Sequence, residues 1–272
     1  MPLRPVFFID LAIVYLGKRN KFERGLLPLI FLEEILEMRI LIVDTETNGL
    51  PASRWVKESD WKQWPEIVQI SWEIWDVIAG EEPRIVKSED HVLKQDPSIK
   101  WSSVGESFHK IPFEFCQTKG EEWKPVLMKF QEDLSTCQAL ASHNLDFDRK
   151  IIRAGIWRTG CVPWAEGVVL ELCTMRGAQG FYNFGPDRNG NPKAPTLKQL
   201  HDACIPGTYD CSGAGPWHTA THDLHCAALC FWVMCRDARF RAILQKCAQI
   251  TGRTMTVQDE DLLHSIQAYS GV

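Results

Sequence analysis

The stretch that decides the fold is Arg39-Ile40-Leu41-Ile42-Val43-Asp44-Thr45-Glu46-Thr47-Asn48-Gly49-Leu50. Arg39 to Val43 is apolar on both faces of an extended chain, which is the pattern of a strand in the middle of a covered sheet. The chain then turns at Asn48-Gly49-Leu50-Pro51. Asp44 and Glu46 are two residues apart, and the period of a strand points both carboxylates to one face. Two like charges beside a buried strand repel, and desolvating them is costly. A bound divalent cation resolves that conflict, and oxygen-only ligands favour magnesium or manganese.

Working outward, Glu66 to Val77 is rich in β-branched and aromatic residues, and Arg84 to Leu93 follows after a Gly-Glu-Glu-Pro turn, so three strands form an antiparallel meander. Pro125 to Leu134 carries Val126, Phe130 and Leu134 at helical spacing and leads into a short strand, Ala139 to Ser142. Helices and strands then alternate: helix Phe147 to Ile156, buried strand Gly167 to Leu172, helix Leu197 to Cys204, and helix Asp223 to Arg236 with Leu224, Ala227, Ala228 and Phe231 inward. Residues 180–195 read as a loop. The expected fold class is α/β, a mixed sheet with an antiparallel three-strand meander followed by parallel strands with flanking helices. Residues 38–240 form one domain in this reading. Residues 1–37 are an N-terminal extension or upstream leader with Met38 as a candidate start, and residues 241–272 are a C-terminal helical tail capped by Thr256.

Among 272 residues, 45% are hydrophobic and 24% charged, which excludes disordered chains, collagen and coiled-coil rods. A net charge of -5 argues against a protein coated in basic residues. Any nucleic-acid partner must be held by a local patch or by metal ions. The apolar run at residues 6–16 is interrupted by Asp10 and falls short of the roughly 20 residues that cross a bilayer, so no membrane partner is expected. Ten scattered cysteines without a secretion signal fit reduced thiols and a cytoplasmic setting. Cys226, Cys230 and Cys235 lie on one apolar stretch and read as small hydrophobes in preference to zinc ligands. Trp72 and Trp75 read as core.

Two further polar clusters sit where strands meet helices. His143-Asn144-Leu145-Asp146-Phe147-Asp148 follows the short strand, at the edge where α/β sheets bind ligands. His218-Thr219-Ala220-Thr221-His222-Asp223 opens the last helix. There a histidine can accept a proton while an aspartate one turn on binds metal.

Together the three clusters resemble the DEDDh family of 3′-to-5′ exonucleases. Val43 to Leu50 resembles the family's first motif, His143-Asn144-x-x-Phe147-Asp148 the second, and His218-x-Ala220-x-x-Asp223 the third. Glu66-Ile67-Val68-Gln69-Ile70 is similar to the family's second strand. His109-Lys110-Ile111 is similar to its His-Gly-Ile segment, with Lys110 in place of the glycine. The resemblance runs from Arg39 to Arg236 and implies a ribonuclease H-like fold. It implies that Asp44, Glu46, Asp148 and Asp223 hold two Mg²⁺, with Mn²⁺ able to substitute, and that His218 is the general base. Asp146 and His222 are not selected. It also implies contacts to the terminal nucleotide from Thr45, Thr47, Asn48 and Leu50, Leu50 being a wedge, and from His109, Asn144 and Phe147. Arg149, Lys150, Arg153 and Arg158 are candidate phosphate contacts.

The implied activity is release of nucleoside monophosphates from 3′ ends of single-stranded or frayed DNA, in proofreading or repair. The Asp-Thr-Glu-Thr-Asn-Gly wording is similar to the branch of the polymerase III proofreading epsilon subunit, with a polymerase as a possible partner. RNA trimming of an oligoribonuclease-like or RNase T-like kind is the alternative inside the family. A noncatalytic nucleic-acid-binding or polymerase-tethering module is the alternative outside it.

Overall fold

The computed structural model describes residues 38–53, 55–77, 83–179, 181–205 and 219–235. The expected N-terminal extension 1–37, the tail 241–272 and His218 lie outside the described residues. A five-stranded sheet has the order β3-β2-β1-β4-β5. Its strands are β1 (Met38–Thr47), β2 (Ile67–Val77), β3 (Arg84–Val92), β4 (Ala139–Ser142) and β5 (Leu170–Cys173). β1 pairs antiparallel with β2, and β2 with β3, whereas β4 runs parallel to both β1 and β5. The meander and the parallel half are therefore both present, as a ribonuclease H-like sheet requires, with β1 at the centre.

Helices cover both faces: α1 (Ser103–His109), α2 (Phe113–Lys119), α3 (Trp123–Ser135), α4 (Leu145–Arg158), α5 (Thr174–Gln179), α6 (Leu197–Cys204) and α7 (Ala220–Cys235). Alternation along β1 divides the core in two. Ile40 and Ile42 pack with Leu224, Ala228 and Phe231 of α7, while Leu41 and Val43 pack with Leu127 and Phe130 of α3 and Ile151 and Ile152 of α4. All of these side chains are buried, which is why β1 is apolar on both faces. Trp72 and Trp75 are buried in this core as expected. No disulfide joins any of the eight described cysteines, and no described helix is long and apolar enough to cross a membrane.

Several boundaries differ from the sequence reading: α4 begins at Leu145 instead of Phe147, and α7 at Ala220 instead of Asp223. β1 does not stop at Val43; Asp44 stays paired opposite Ser71 and Glu46 opposite Gln69, because the antiparallel partner continues alongside. β5 begins at Leu170, after a turn in which Gly167 takes φ +77°, and it alternates buried and half-buried residues instead of being buried throughout. The short helices α1, α2 and α5 carry too few turns to show a period. α1 owes its start to a cap, the Ser102 hydroxyl accepting from the Gly105 amide at 3.0 Å.

Candidate active site

The faces of β1 also sort its polar end. Asp44 and Glu46 continue the even-numbered side, toward α7, and Thr45 continues the odd-numbered side, toward α4. A register shift between Glu46 and Thr47 marks a bulge where the strand leaves the ladder, a common device for aiming side chains beside a site. Asp223, in the first turn of α7, faces Asp44 and Glu46, and one carboxylate oxygen from each of the three lies within 4.8 Å of the others. Three convergent carboxylates fit a hard divalent cation by the chemistry of their donors.

Asp148 arrives from the other face. β4 ends at Ser142, and Asn144 takes a left-handed conformation (φ 70°, ψ 43°), which asparagine tolerates better than most residues. That residue reverses the chain into α4, so Asp148 in the first turn points back at β1. Its Oδ1 accepts from the Thr45 hydroxyl at 2.8 Å and its Oδ2 from the Ser142 hydroxyl at 2.6 Å. Asp148 is 3% exposed and stands outside the group of three, at the same strand edge.

The electrostatics are unbalanced. Burial, then the charges of Asp148, Glu46 and Asp223, hold the Asp44 carboxyl well above the usual carboxylate range. Burial, then Asp223 and Asp148, push Glu46 up to about 8. Burial pushes Asp148 up to about 7 even though the hydroxyls of Ser142 and Thr45 pull it down. Asp146, two residues earlier, is the contrast. Burial works against its charge too, but Lys150 at 2.9 Å and Arg149 at 3.2 Å hold it below the usual range. The same helix turn therefore offers one carboxylate with its own cations and one that lacks them.

The other expected contacts fall into three kinds. Leu50 is 83% exposed and Asn144 is exposed, both open to a ligand. Thr47 donates to the Gly49 carbonyl at 2.8 Å, and Asn48 is buried, its Oδ1 accepting from the Ser102 amide at 2.6 Å; Thr45 and Asn48 thus hold the site's frame. Phe147 packs against the α3/α4 side of the core. His109 is 1% exposed, its Nδ1 accepting from the Ile111 amide at 3.0 Å while Nε2 is buried with no hydrogen-bond partner among the described residues. The Lys110 that replaces glycine after it adopts φ 60° as the α1 C-cap, the backbone form that glycine adopts most readily.

The basic run past the second motif is turned inward to partners. Arg149 lies near Asp146, Glu166 and Glu171, Lys150 pairs with Asp146, and Arg153 donates to the Trp164 carbonyl. Arg158 pairs with buried Glu66 and donates to the Trp64 carbonyl at 3.2 Å. Phosphate contact by this run is not what its geometry favours.

Sequence reasoning missed a clamp on α7. Gln69 and Ser71 share the face of Glu46 and Asp44, one strand over. Gln69 donates to Asp90 of β3 at 2.7 Å, Ser71 donates to the same Asp90 oxygen at 2.5 Å, and the Ser71 hydroxyl lies 3.3 Å from that of Thr221. The Ala220 amide donates to Gln69 Oε1 at 3.1 Å. A buried glutamine and serine at period two beside an acidic strand were the available signal.

No family model matches the sequence, and no curated protein matches it. Solved structures do match in fold. Escherichia coli exonuclease I in complex with a dT13 oligonucleotide aligns with a TM-score of 0.55 at 15% identity, covering 75% of this chain and 42% of that one. A product-bound structure of exonuclease I aligns with a TM-score of 0.57 at 14% identity, covering 78% and 46%. The complex of the E. coli enzyme with a dA16 oligonucleotide gives 0.56 at 14%, covering 77% and 42%. This chain therefore spans less than half the length of those exonuclease I chains, and at such identities the likeness is one of fold.

Proposed function

We propose that the chain is a divalent-metal-dependent 3′-to-5′ exonuclease acting on single-stranded nucleic acid, with Asp44, Glu46, Asp148 and Asp223 holding the metal. The observation that carries this is the meeting of carboxylates from β1 and α7 within 4.8 Å, with Asp148 at the same edge and raised acidities that a cation would relieve. The ordered motifs and the exonuclease I-like fold support it. Two Mg²⁺ would supply a more acidic attacking water and charge stabilisation at the leaving oxygen. Four carboxylates balance that charge.

The chain's own part is to position and to move one proton. His218, five residues before Asp223, takes the proton of the attacking water. The water oxygen bonds to phosphorus, the bond from phosphorus to the penultimate 3′ oxygen breaks, and that oxygen takes a proton from solvent. A nucleoside 5′-monophosphate and a shortened 3′-hydroxyl strand result. Leu50, exposed beside the site, is suited to wedge the last base, and the buried Nε2 of His109 is suited to donate to the terminal nucleotide. DNA is the preferred strand on the wording of the first motif, with proofreading or repair and a polymerase partner as the accompanying expectation. Described cysteines outside any disulfide fit a reducing, cytoplasmic setting.

The test is Mg²⁺-dependent degradation of 3′-labelled and 5′-labelled single-stranded DNA, duplex DNA, mismatched primer ends and RNA. Mononucleotide release from 3′ ends, abolished in Asp44→Ala, Asp223→Ala and His218→Ala, is the expected result. Faster trimming of RNA would reassign the substrate, and stability of every substrate would leave a binding module.

A further inference from the structure

A cavity of about 1160 Å³ begins where the chain leaves β1. Asn48 and Leu50, just past Glu46 in the chain, line its near end, and none of Asp44, Glu46, Asp148 or Asp223 lines it. Its walls come from the β1–β2 connection, the segment after β3, and the facing ends of α3 and α4.

Five cations and three carboxylates line the cavity, in a chain whose net charge is -5. The carboxylates are already occupied. Glu66 pairs with Arg158, Glu122 accepts from Lys94 at 3.2 Å, and Asp96 accepts from the Ser98 amide and hydroxyl at 2.8 and 2.7 Å. Lys62, Lys100 and Lys124 are exposed and form no ion pair among the described residues. Two tryptophans are fixed between them. The Arg158 guanidinium lies 5.3 Å from the Trp61 ring and 5.0 Å from the Trp123 ring, and the Trp123 indole donates to the Lys94 carbonyl at 2.7 Å. The Lys62 ammonium lies 5.6 Å from the Trp61 ring, whereas Lys100 and Lys124 carry no such contact among the described residues. Half-buried aromatic rings interleaved with exposed lysines are the chemistry that binds single strands, bases on the rings and phosphates on the cations. The run Arg149 to Arg158 cannot supply those cations, because it serves internal carboxylates.

We infer that this cleft holds the single-stranded nucleic acid immediately 5′ of the nucleotide being removed, entering past Leu50. The inference deepens the exonuclease reading and rests on it. It makes grip on the strand a property of Lys62, Lys100 and Lys124 with Trp61 and Trp123, separate from the metal centre.

The test uses the full chain and the double variant Lys100→Glu/Lys124→Glu, both positions being exposed. Fluorescence anisotropy with Ca²⁺ in place of Mg²⁺ measures binding of oligothymidylates of about 15 and about three nucleotides and of an oligouridylate of about 15. Hydrolysis of the p-nitrophenyl ester of thymidine 5′-monophosphate with Mg²⁺ reads the metal centre alone. The parent should bind the longer strand about tenfold tighter than the short one. The variant should lose that advantage, with a salt slope lower by about 1.4 for two lost phosphate contacts, and should hydrolyse the ester at the parent's rate. A loss confined to the uridylate strand upholds the cleft and assigns RNA to it. Unchanged affinity and slope in the variant overturn the inference, as does an equal loss on the ester. If the parent hydrolyses nothing, the exonuclease reading fails; lysine-dependent binding of the longer strand would then still uphold the cleft, and its absence would remove both.

Discussion

The backbone amide of Ala220 donates to the side-chain oxygen of Gln69 at 3.1 Å, tying the first residue of α7 to the second strand of the sheet. The same glutamine is anchored on Asp90, so a polar relay from β3 through β2 fixes where α7 begins. Asp223 sits one turn later. Gln69→Leu should therefore reduce turnover about tenfold to a hundredfold by displacing that carboxylate, since small misplacements of catalytic groups carry such costs. Gln69→Glu keeps the acceptor for Ala220 but loses the donor to Asp90 and sets two carboxylates against each other, so it should not recover the rate. Steady-state kinetics on a 3′-labelled strand decide; parental turnover in Gln69→Leu would remove the clamp from the account.

Asp44→Asn should separate stability from activity. It removes a carboxyl whose charged form is opposed by burial and by the charges of Asp148, Glu46 and Asp223, so the metal-free protein should melt several degrees higher while turnover falls by at least about a thousandfold. Differential scanning fluorimetry in EDTA and an endpoint assay give the two numbers. A lower melting temperature would show that the carboxylates do not oppose one another.

Proton linkage gives a pH signature. Glu46 at about 8 and Asp148 at about 7 lie above the range of carboxylates in an unfolded chain. From roughly pH 4 to pH 8 the folded protein holds protons that the unfolded chain has released, so metal-free stability should fall as pH rises through that window. Below it both states are protonated and the penalty is absent. Added Mg²⁺ should reverse the loss, by about 2.7 kcal/mol at a hundredfold excess over its Kd. Melting curves at about pH 5 and about pH 8.5, with EDTA or Mg²⁺, test this; a metal-free protein more stable at the higher pH would contradict it.

Ser142→Ala removes one of the two hydroxyls that pull the Asp148 acidity down. The acidic limb of the pH–rate profile should move to higher pH, with the plateau rate kept within about tenfold. An unmoved limb would mean that Asp148 does not govern it.

Much of this site was legible because its parts are local. The two-sided apolar run of β1 marks a central strand, the spacing of Asp44 and Glu46 marks a shared face, and β4, α6 and the inward residues of α7 lie where periodicity puts them. What could not be read is carried by partners far along the chain. Nothing near Arg158 announces that Glu66 claims it, and nothing near Ala220 announces Gln69. Asp146 and Asp148 look alike in sequence; Lys150 and Arg149 on one side, Thr45 and Ser142 on the other, make them different groups. Helix α1 depends on the Ser102 cap and α2 on packing over one or two turns, too short for a repeat to show.

The origin of the four carboxylates on opposite faces of β1 has a consequence for assembly. Asp44, Glu46 and Asp223 need the α7 layer docked, whereas Asp148 needs the α4 layer and the left-handed turn at Asn144. A folding intermediate with one layer in place owns an incomplete ligand set. On the proposed function, a half-folded chain would lack nuclease chemistry, and metal capture would be a late event that reports closure of both layers at once.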